Sequence, residues 1–375
     1  MLPAQQILQS RPLKPPKLNH PLLTAALLPS QFLRQQTKAR AEFRFDIVQG
    51  RITKMRIQTL SLKIIAIFLL FGLGYWTQTV VHRHEDCGES YMWLNEELRC
   101  TDEQVLDKAE YSELKLDLLE MIERQRDGGY ITNAAVYFRD LSNGPTMGIN
   151  QYMDFVPASL LKVPLMLTYL RLAEDDPALL ERELTFLGPP DDFTQGIPPG
   201  QAVEVGKIYE IRDLLRRLIV YSDNGAWDVL YNYLGEISPD LSLLAETYHE
   251  LGIIEPQSAF DEVITVKSYA SIFRLLYNSS YLSKEHSSMA LDLLSQTVYT
   301  HGLRQGIPRT IPIAHKFGER FTEDYNQLHD CGIVYYPGNA YLLCVMTRGS
   351  DFAKLAEFIG EVSAAVYEEV DSRRK

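Results

Sequence analysis

The chain is short of positive charge. It sets 37 Lys and Arg against 49 Asp and Glu, a formal net charge of −12 over 375 residues. Nucleic-acid binding draws on counterion release at a basic face, so that class of function is excluded. No internal repeat is visible, and 46% apolar residues are enough to fill the core of one large domain or two ordinary ones. Cysteine is scarce: Cys87, Cys100, Cys331 and Cys344 are the full set. Cys87 and Cys100 would close a short loop. Cys331 and Cys344 fall on two predicted hairpin strands around Tyr336-Pro337-Gly338-Asn339 and are expected to be buried free thiols.

What positive charge there is gathers at one end. Ten Lys and Arg lie between Arg11 and Arg56, opposed only by Glu42 and Asp46. An uncharged run, "IIAIFLLFGLGYWTQTVV", follows at residues 64–81. Its length is close to the ~20 apolar residues that cross a bilayer as a helix, and Tyr75 and Trp76 suit an interface. Basic residues before the run put that side in the cytoplasm and the rest of the chain outside. A signal peptide starting near Met55 competes with this reading, but no small-x-small cleavage site follows the run. The expected organisation is a flexible basic cytoplasmic tail (1–60), a transmembrane anchor (61–83), a juxtamembrane linker (84–103) and one folded extracytoplasmic domain (104–375).

Within that domain the apolar spacing predicts a helix from about Asp102 to Asp127, stopped by Gly128-Gly129. Two strands follow, "YITNAAVYFRD" and "TMGIN", around the hairpin signal Asn143-Gly144. A helix from about Ser159 opens a long helical block that reaches residue 297. Three more strands, "TIPIAHKFG", "HDCGIVYYP" and "AYLLCVMTRG", precede a closing amphipathic helix over about 352–370. The fold class is therefore α/β (α+β): strands from both ends of the domain form one antiparallel five-stranded sheet with flanking helices, and an all-helical lobe is inserted between them.

Three short motifs carry chemistry. Ser159 and Lys162 are three residues apart at a predicted helix start, so they share a face, and unpaired helix amides there favour developing negative charge. If Lys162 is desolvated by its apolar neighbours, its neutral amine becomes an available base. Ser222-Asp223-Asn224 follows, and Lys316-Phe317-Gly318 lies on a predicted strand beyond it. Each motif alone is weak; the three in this order resemble the serine β-lactamase and penicillin-binding protein superfamily, most closely the class A β-lactamases, over roughly residues 104–370.

That resemblance implies roles. Ser159 is similar to the acylated nucleophile and Lys162 to its base or proton relay. Ser222 is similar to the hydroxyl that passes a proton to the leaving nitrogen, and Asn224 to the amide that fixes the acyl side chain. Lys316 is similar to the charge that holds Ser222 and the substrate carboxylate. The amides of Ser159 and Glu319, beside Gly318, would form the oxyanion hole. Asp223 would hold its loop. The substrate implied is a β-lactam or a related D-amino-acid peptide amide of the peptidoglycan type, with no cofactor and no metal.

Two departures stand out. Phe317 occupies a place where the family usually has Thr or Ser, and it cannot hydrogen-bond a carboxylate; Arg320 is the candidate compensation. The passage "LGIIEPQSAFDEVIT" (251–265) is short, has no Glu-x-x-Leu-Asn pattern, and offers only Glu255, Asp261 and Glu262, each expected at the solvated surface. An acyl-enzyme should therefore form and hydrolyse slowly, because deacylation needs its own proton acceptor. A non-hydrolytic module that binds penicillin or muropeptide is the alternative. "HRHEDC" (82–87) resembles the metal motif of metallo-β-lactamases, but the histidines at 249, 286, 301, 315 and 329 form no matching set, so no zinc site is expected.

Overall fold

In the computed structural model the described residues are Trp93 and 111–373, apart from 143, 189–200, 239, 257–260, 262 and 323. The expected tail, anchor and linker, Cys87, Cys100 and the 82–87 motif lie outside them. Among the described residues no helix is long and apolar enough to cross a membrane.

Helix α1 (Ser112–Asp127) buries Leu114, Leu118 and Ile122, one stripe at helical spacing. Strands β1 (Ile131–Asp140) and β2 (Thr146–Ile149) form the predicted hairpin, Arg139 opposite Thr146. Strands β7 (Ile313–Phe321), β8 (Asn326–Val334) and β9 (Tyr341–Gly349) supply the rest of an antiparallel sheet in the order β2-β1-β9-β8-β7. The early hairpin joins the late strands through β1 and β9, with Val136 opposite Val345.

The sheet separates two cores. Val136, Phe138, Leu343 and Val345 face α1 and the closing helix α8 (Phe352–Ser372). Ala135, Ile333, Leu342 and Met346 face the helical lobe. The alternation along each strand assigns these faces, and burying one such side chain stabilises by about 1.5–3 kcal/mol. The lobe consists of α2 (Lys162–Asp175), α3 (Ile211–Val220), α4 (Asn224–Ile237), α5 (Ser242–Leu251), α6 (Val266–Tyr277) and α7 (Lys284–Ser295). Between α2 and α3 runs a small hairpin, β4 (Glu183–Thr185) with β5 (Ile208–Glu210). Strand β3 (Asp154–Phe155) pairs with β6 (Ile264–Thr265), tying the end of the short 251–265 passage to the chain just before Ser159. Thr265 then caps α6 by a reciprocal pair of bonds with Ser268.

Two expectations need correction. Cys331 and Cys344 are not free thiols but a disulfide: they are directly opposed on β8 and β9, with Cα atoms 4.0 Å apart. Ser159 does not begin an α-helix; it sits in a single 3₁₀ turn, Ala158–Leu161, and α2 starts at Lys162. In a 3₁₀ turn residues i and i+3 eclipse, which brings residues 159 and 162 into closer alignment than an α-helix would.

Candidate active site

The turn around Ser159 is held from several sides. Ala158 has φ +49°, a left-handed conformation that costs energy for a residue with a Cβ and persists only where its surroundings fix it. They do. Val156 just upstream has both main-chain groups taken by β8: its N–H donates to Gln327 Oε1 at 3.2 Å and its carbonyl meets His329 Nε2 at 3.0 Å. Burial drives the His329 pKa down to about 4, so the ring is neutral; Nε2–H donates to Val156, and Nδ1 accepts from the Thr347 amide at 3.3 Å. Downstream, the Leu160 carbonyl accepts from the buried Tyr269 hydroxyl at 3.0 Å.

Two buried amines converge on one hydroxyl. Lys162 Nζ donates to the Ser222 carbonyl at 2.5 Å, to Asn224 Oδ1 at 2.6 Å and lies 3.2 Å from Ser222 Oγ. Lys316 Nζ donates to Ser222 Oγ at 2.8 Å and to the Phe317 carbonyl at 2.7 Å. Ser222 is itself in the left-handed region, φ +52°. Asp223 holds that geometry: buried, it caps α4 through the Gly225 amide at 3.0 Å and takes the Val203 amide at 2.9 Å. Desolvation lowers the Lys162 pKa to about 7, against the opposing pull of Asp223 and Glu319. Lys316 is also pushed well below its ordinary value, by burial first and by the Lys162 charge second.

Strand β7 closes the site against the Ser159 turn. Gly318 permits the approach: a Cβ there would lie 2.9 Å from Leu160 Cγ and 3.0 Å from the Pro157 carbonyl. Glu319 follows on the same strand, half-buried, as does Arg320. Phe317 is turned onto Tyr299, ring centroids 4.2 Å apart, and its ring also covers Lys316 Nζ at 4.2 Å. Behind it, His315 Nδ1 meets Asp330 Oδ1 at 2.9 Å, and Asp330 Oδ2 accepts the Leu303 amide.

The structure thus brings Lys162, Ser222, Asn224 and Lys316 into direct contact and packs Gly318 on the turn that carries Ser159. In the short passage Glu255 is exposed and Asp261 half-buried, and Glu262 lies outside the described residues. Among the described residues no His, Cys, Asp and Glu group of three or more could hold a metal. Sequence reasoning missed Gln327, His329 and Asp330; four polar residues, with Asn326, crowded into one short strand were the available signal.

A family model described as the beta-lactamase enzyme family matches residues 118–370. Among solved structures, PBP-A is 21% identical with a TM-score of 0.59, over 72% of this chain and 100% of its own. A single-residue variant of PBP-A, solved as an acyl-enzyme complex with penicillin G, is 21% identical with a TM-score of 0.59, over 71% and 100%. A class A beta-lactamase from Mycobacterium abscessus is 18% identical with a TM-score of 0.56, over 69% and 99%. At such identities the likeness is one of fold. No curated protein matches the chain.

Proposed function

The chain belongs to the beta-lactamase enzyme family, and from that premise we propose that it is an extracytoplasmic serine hydrolase, anchored through residues 61–83, that acylates Ser159 with a β-lactam or a D-amino-acid peptide amide and releases the product slowly. The observation that carries this reading is Ser222 Oγ, held between Lys316 at 2.8 Å and Lys162 at 3.2 Å.

A neutral amine has two N–H bonds and one lone pair. At Lys162 the two donors go to acceptor-only oxygens, the Ser222 carbonyl and Asn224 Oδ1. The lone pair is left for a hydroxyl proton. Lys162 takes the Ser159 proton as Oγ attacks the substrate carbonyl, and Ser222, polarised by Lys316, relays a proton to the departing nitrogen. The Ser159 and Glu319 amides receive the tetrahedral oxyanion; one such donor is worth about 10²–10³ in rate. Asn224 orients the acyl side chain, and Arg320 flanks the entrance. The passage carries no Glu-x-x-Leu-Asn pattern and its Glu255 is exposed, which supports slow release.

A second reading, a module that binds penicillin or muropeptide without hydrolysis, is favoured by one observation: the Phe317 ring covers the amine that would grip a substrate. One experiment separates the two. The protein is mixed with a chromogenic cephalosporin, and colour and covalent mass are followed together. Sustained colour supports the hydrolase, and a persistent adduct without turnover supports the binder. Colour production by a Ser159→Ala variant removes Ser159 from the chemistry.

A further inference from the structure

Val156 is held as a strand residue is held, but by side chains. It is buried, and it lies at the head of the turn, three residues before Ser159. Its N–H donates to Gln327 Oε1 at 3.2 Å, and its carbonyl accepts from His329 Nε2 at 3.0 Å. Gln327 and His329 are two apart on β8, so both side chains leave that strand on one face and reach the same residue. The grip is stiff. Both nitrogens of the His329 ring are engaged, Nδ1 accepting from the Thr347 amide at 3.3 Å, and the Phe155 ring meets it edge-on with centroids 5.3 Å apart. Thr347 is fixed in turn, its hydroxyl donating to the Leu328 carbonyl at 2.6 Å.

Two costs are kept at this spot. Gln327 Nε2 is buried and has no hydrogen-bond partner among the described residues. A stranded donor destabilises, and an apolar side chain of similar shape would avoid it. Ala158 keeps a left-handed backbone between the grip and Ser159. Neither cost serves packing. Both fall where the chain is pinned on either side of Ser159, by the Val156 grip before it and by the Tyr269 hydroxyl on the Leu160 carbonyl after it.

We infer that Gln327 and His329 are positioning residues for acylation: they hold Val156, and through it they set the place from which Ser159 Oγ attacks. The inference rests on the serine-hydrolase reading above. A strand neighbour would pair Val156 through main-chain groups and fix it to the sheet's own spacing. Two side chains of different length set a different spacing, and the left-handed Ala158 turns the chain from that point toward Lys162. Loss of the grip leaves the lobe and sheet packed and lets the serine drift.

The test uses the full-length protein, a chromogenic cephalosporin and stopped-flow mixing. Ser159 Oγ bonds to the lactam carbonyl carbon as the ring C–N bond breaks, and the serine proton ends on the ring nitrogen; colour reports the opening. The limiting acylation rate and the half-saturating concentration are read separately. Gln327→Met exchanges one stranded donor for another, since the Val156 N–H loses its acceptor as Nε2 disappears. Its thermal midpoint should stay within about 2 °C of the native one. Its limiting acylation rate should fall by about 10²-fold with the half-saturating concentration little changed, because a displaced serine leaves binding intact and spoils the attack. His329→Leu should lower the rate by a similar factor. His329→Gln, which returns an N–H donor to the same reach, should recover most of it, so the histidine pair decides if Gln327→Met misfolds. A native rate in Gln327→Met, or a His329→Gln variant no faster than His329→Leu, overturns the proposal. Absence of an adduct on Ser159 in the native protein, read by mass, removes the hydrolase reading and this one with it; a native adduct with unmoved variants removes this one alone.

Discussion

Gly318 and Leu160 touch where no side chain separates them. A methyl group on Gly318 would come within 2.9 Å of Leu160 Cγ and 3.2 Å of the Leu160 amide nitrogen, so the edge strand and the Ser159 turn are spaced by the absence of a Cβ. Gly318→Ala must push them apart. Overpacking of this kind costs about 1–3 kcal/mol. The acylation rate should fall further than stability does, by about 10²-fold, since small displacements at a reacting centre are amplified. A thermal melt beside a stopped-flow acylation measurement checks both.

Lys162 makes the rate depend on pH. With its pKa lowered to about 7, the amine is neutral above that point, so acylation should rise with pH and level off beyond it. The stability sign follows from the same shift. Between about 7 and the ordinary 10.5 the unfolded chain keeps the proton and the folded one has lost it, so this residue's contribution to stability increases with pH through that window. A Lys162→Met variant should lose the acylation and flatten that part of the stability profile, measured by denaturant titration at several pH values.

Asp223 serves geometry. Its carboxylate takes two buried amides, of Gly225 and Val203, and Asp223→Ala strands both. The expected loss is about 2–4 kcal/mol, a cap plus an unsatisfied donor. Chemical denaturation gives the stability; activity should fall with it as the Ser222 turn loosens. An unchanged midpoint contradicts the assignment.

The sheet, the inserted lobe and the three motifs were legible because their signals are local: period-two alternation, the Asn143-Gly144 turn, helical stripes, and motif residues of fixed type. Lys316 beside Ser222 was expected from the family likeness, and the two are 2.8 Å apart; the approach of Lys162 to the same hydroxyl, at 3.2 Å, emerges only from the structure. What stayed hidden depends on register across long distances. Nothing in the string announces that Gln327 and His329 reach Val156, or that Ala158 and Ser222 adopt left-handed backbone, since such conformations are imposed by the surroundings. The disulfide was half-visible. Cys331 and Cys344 each lie three residues from the closing pair Val334 and Tyr341, so their opposition follows from the turn, whereas their oxidation does not.

The Cys331–Cys344 bridge closes a loop with a sequence separation of 13, for which chain entropy predicts about 3 kcal/mol. Cys331→Ala with Cys344→Ala should lower the unfolding midpoint by an amount of that order. Thiol alkylation of the native protein, denatured without reductant, should label neither cysteine; labelling of both contradicts the bridge.

The clamp on Val156 ties the Ser159 turn to a strand made late. Gln327 and His329 come 171 and 173 positions after the residue they hold, and β1 waits for β9 in the same way. A ribosome that has released Ser159 has therefore released a turn still without its clamp. The turn is set only once β8 and β9 have emerged and docked, so the chemistry proposed for Ser159 waits on the order of synthesis.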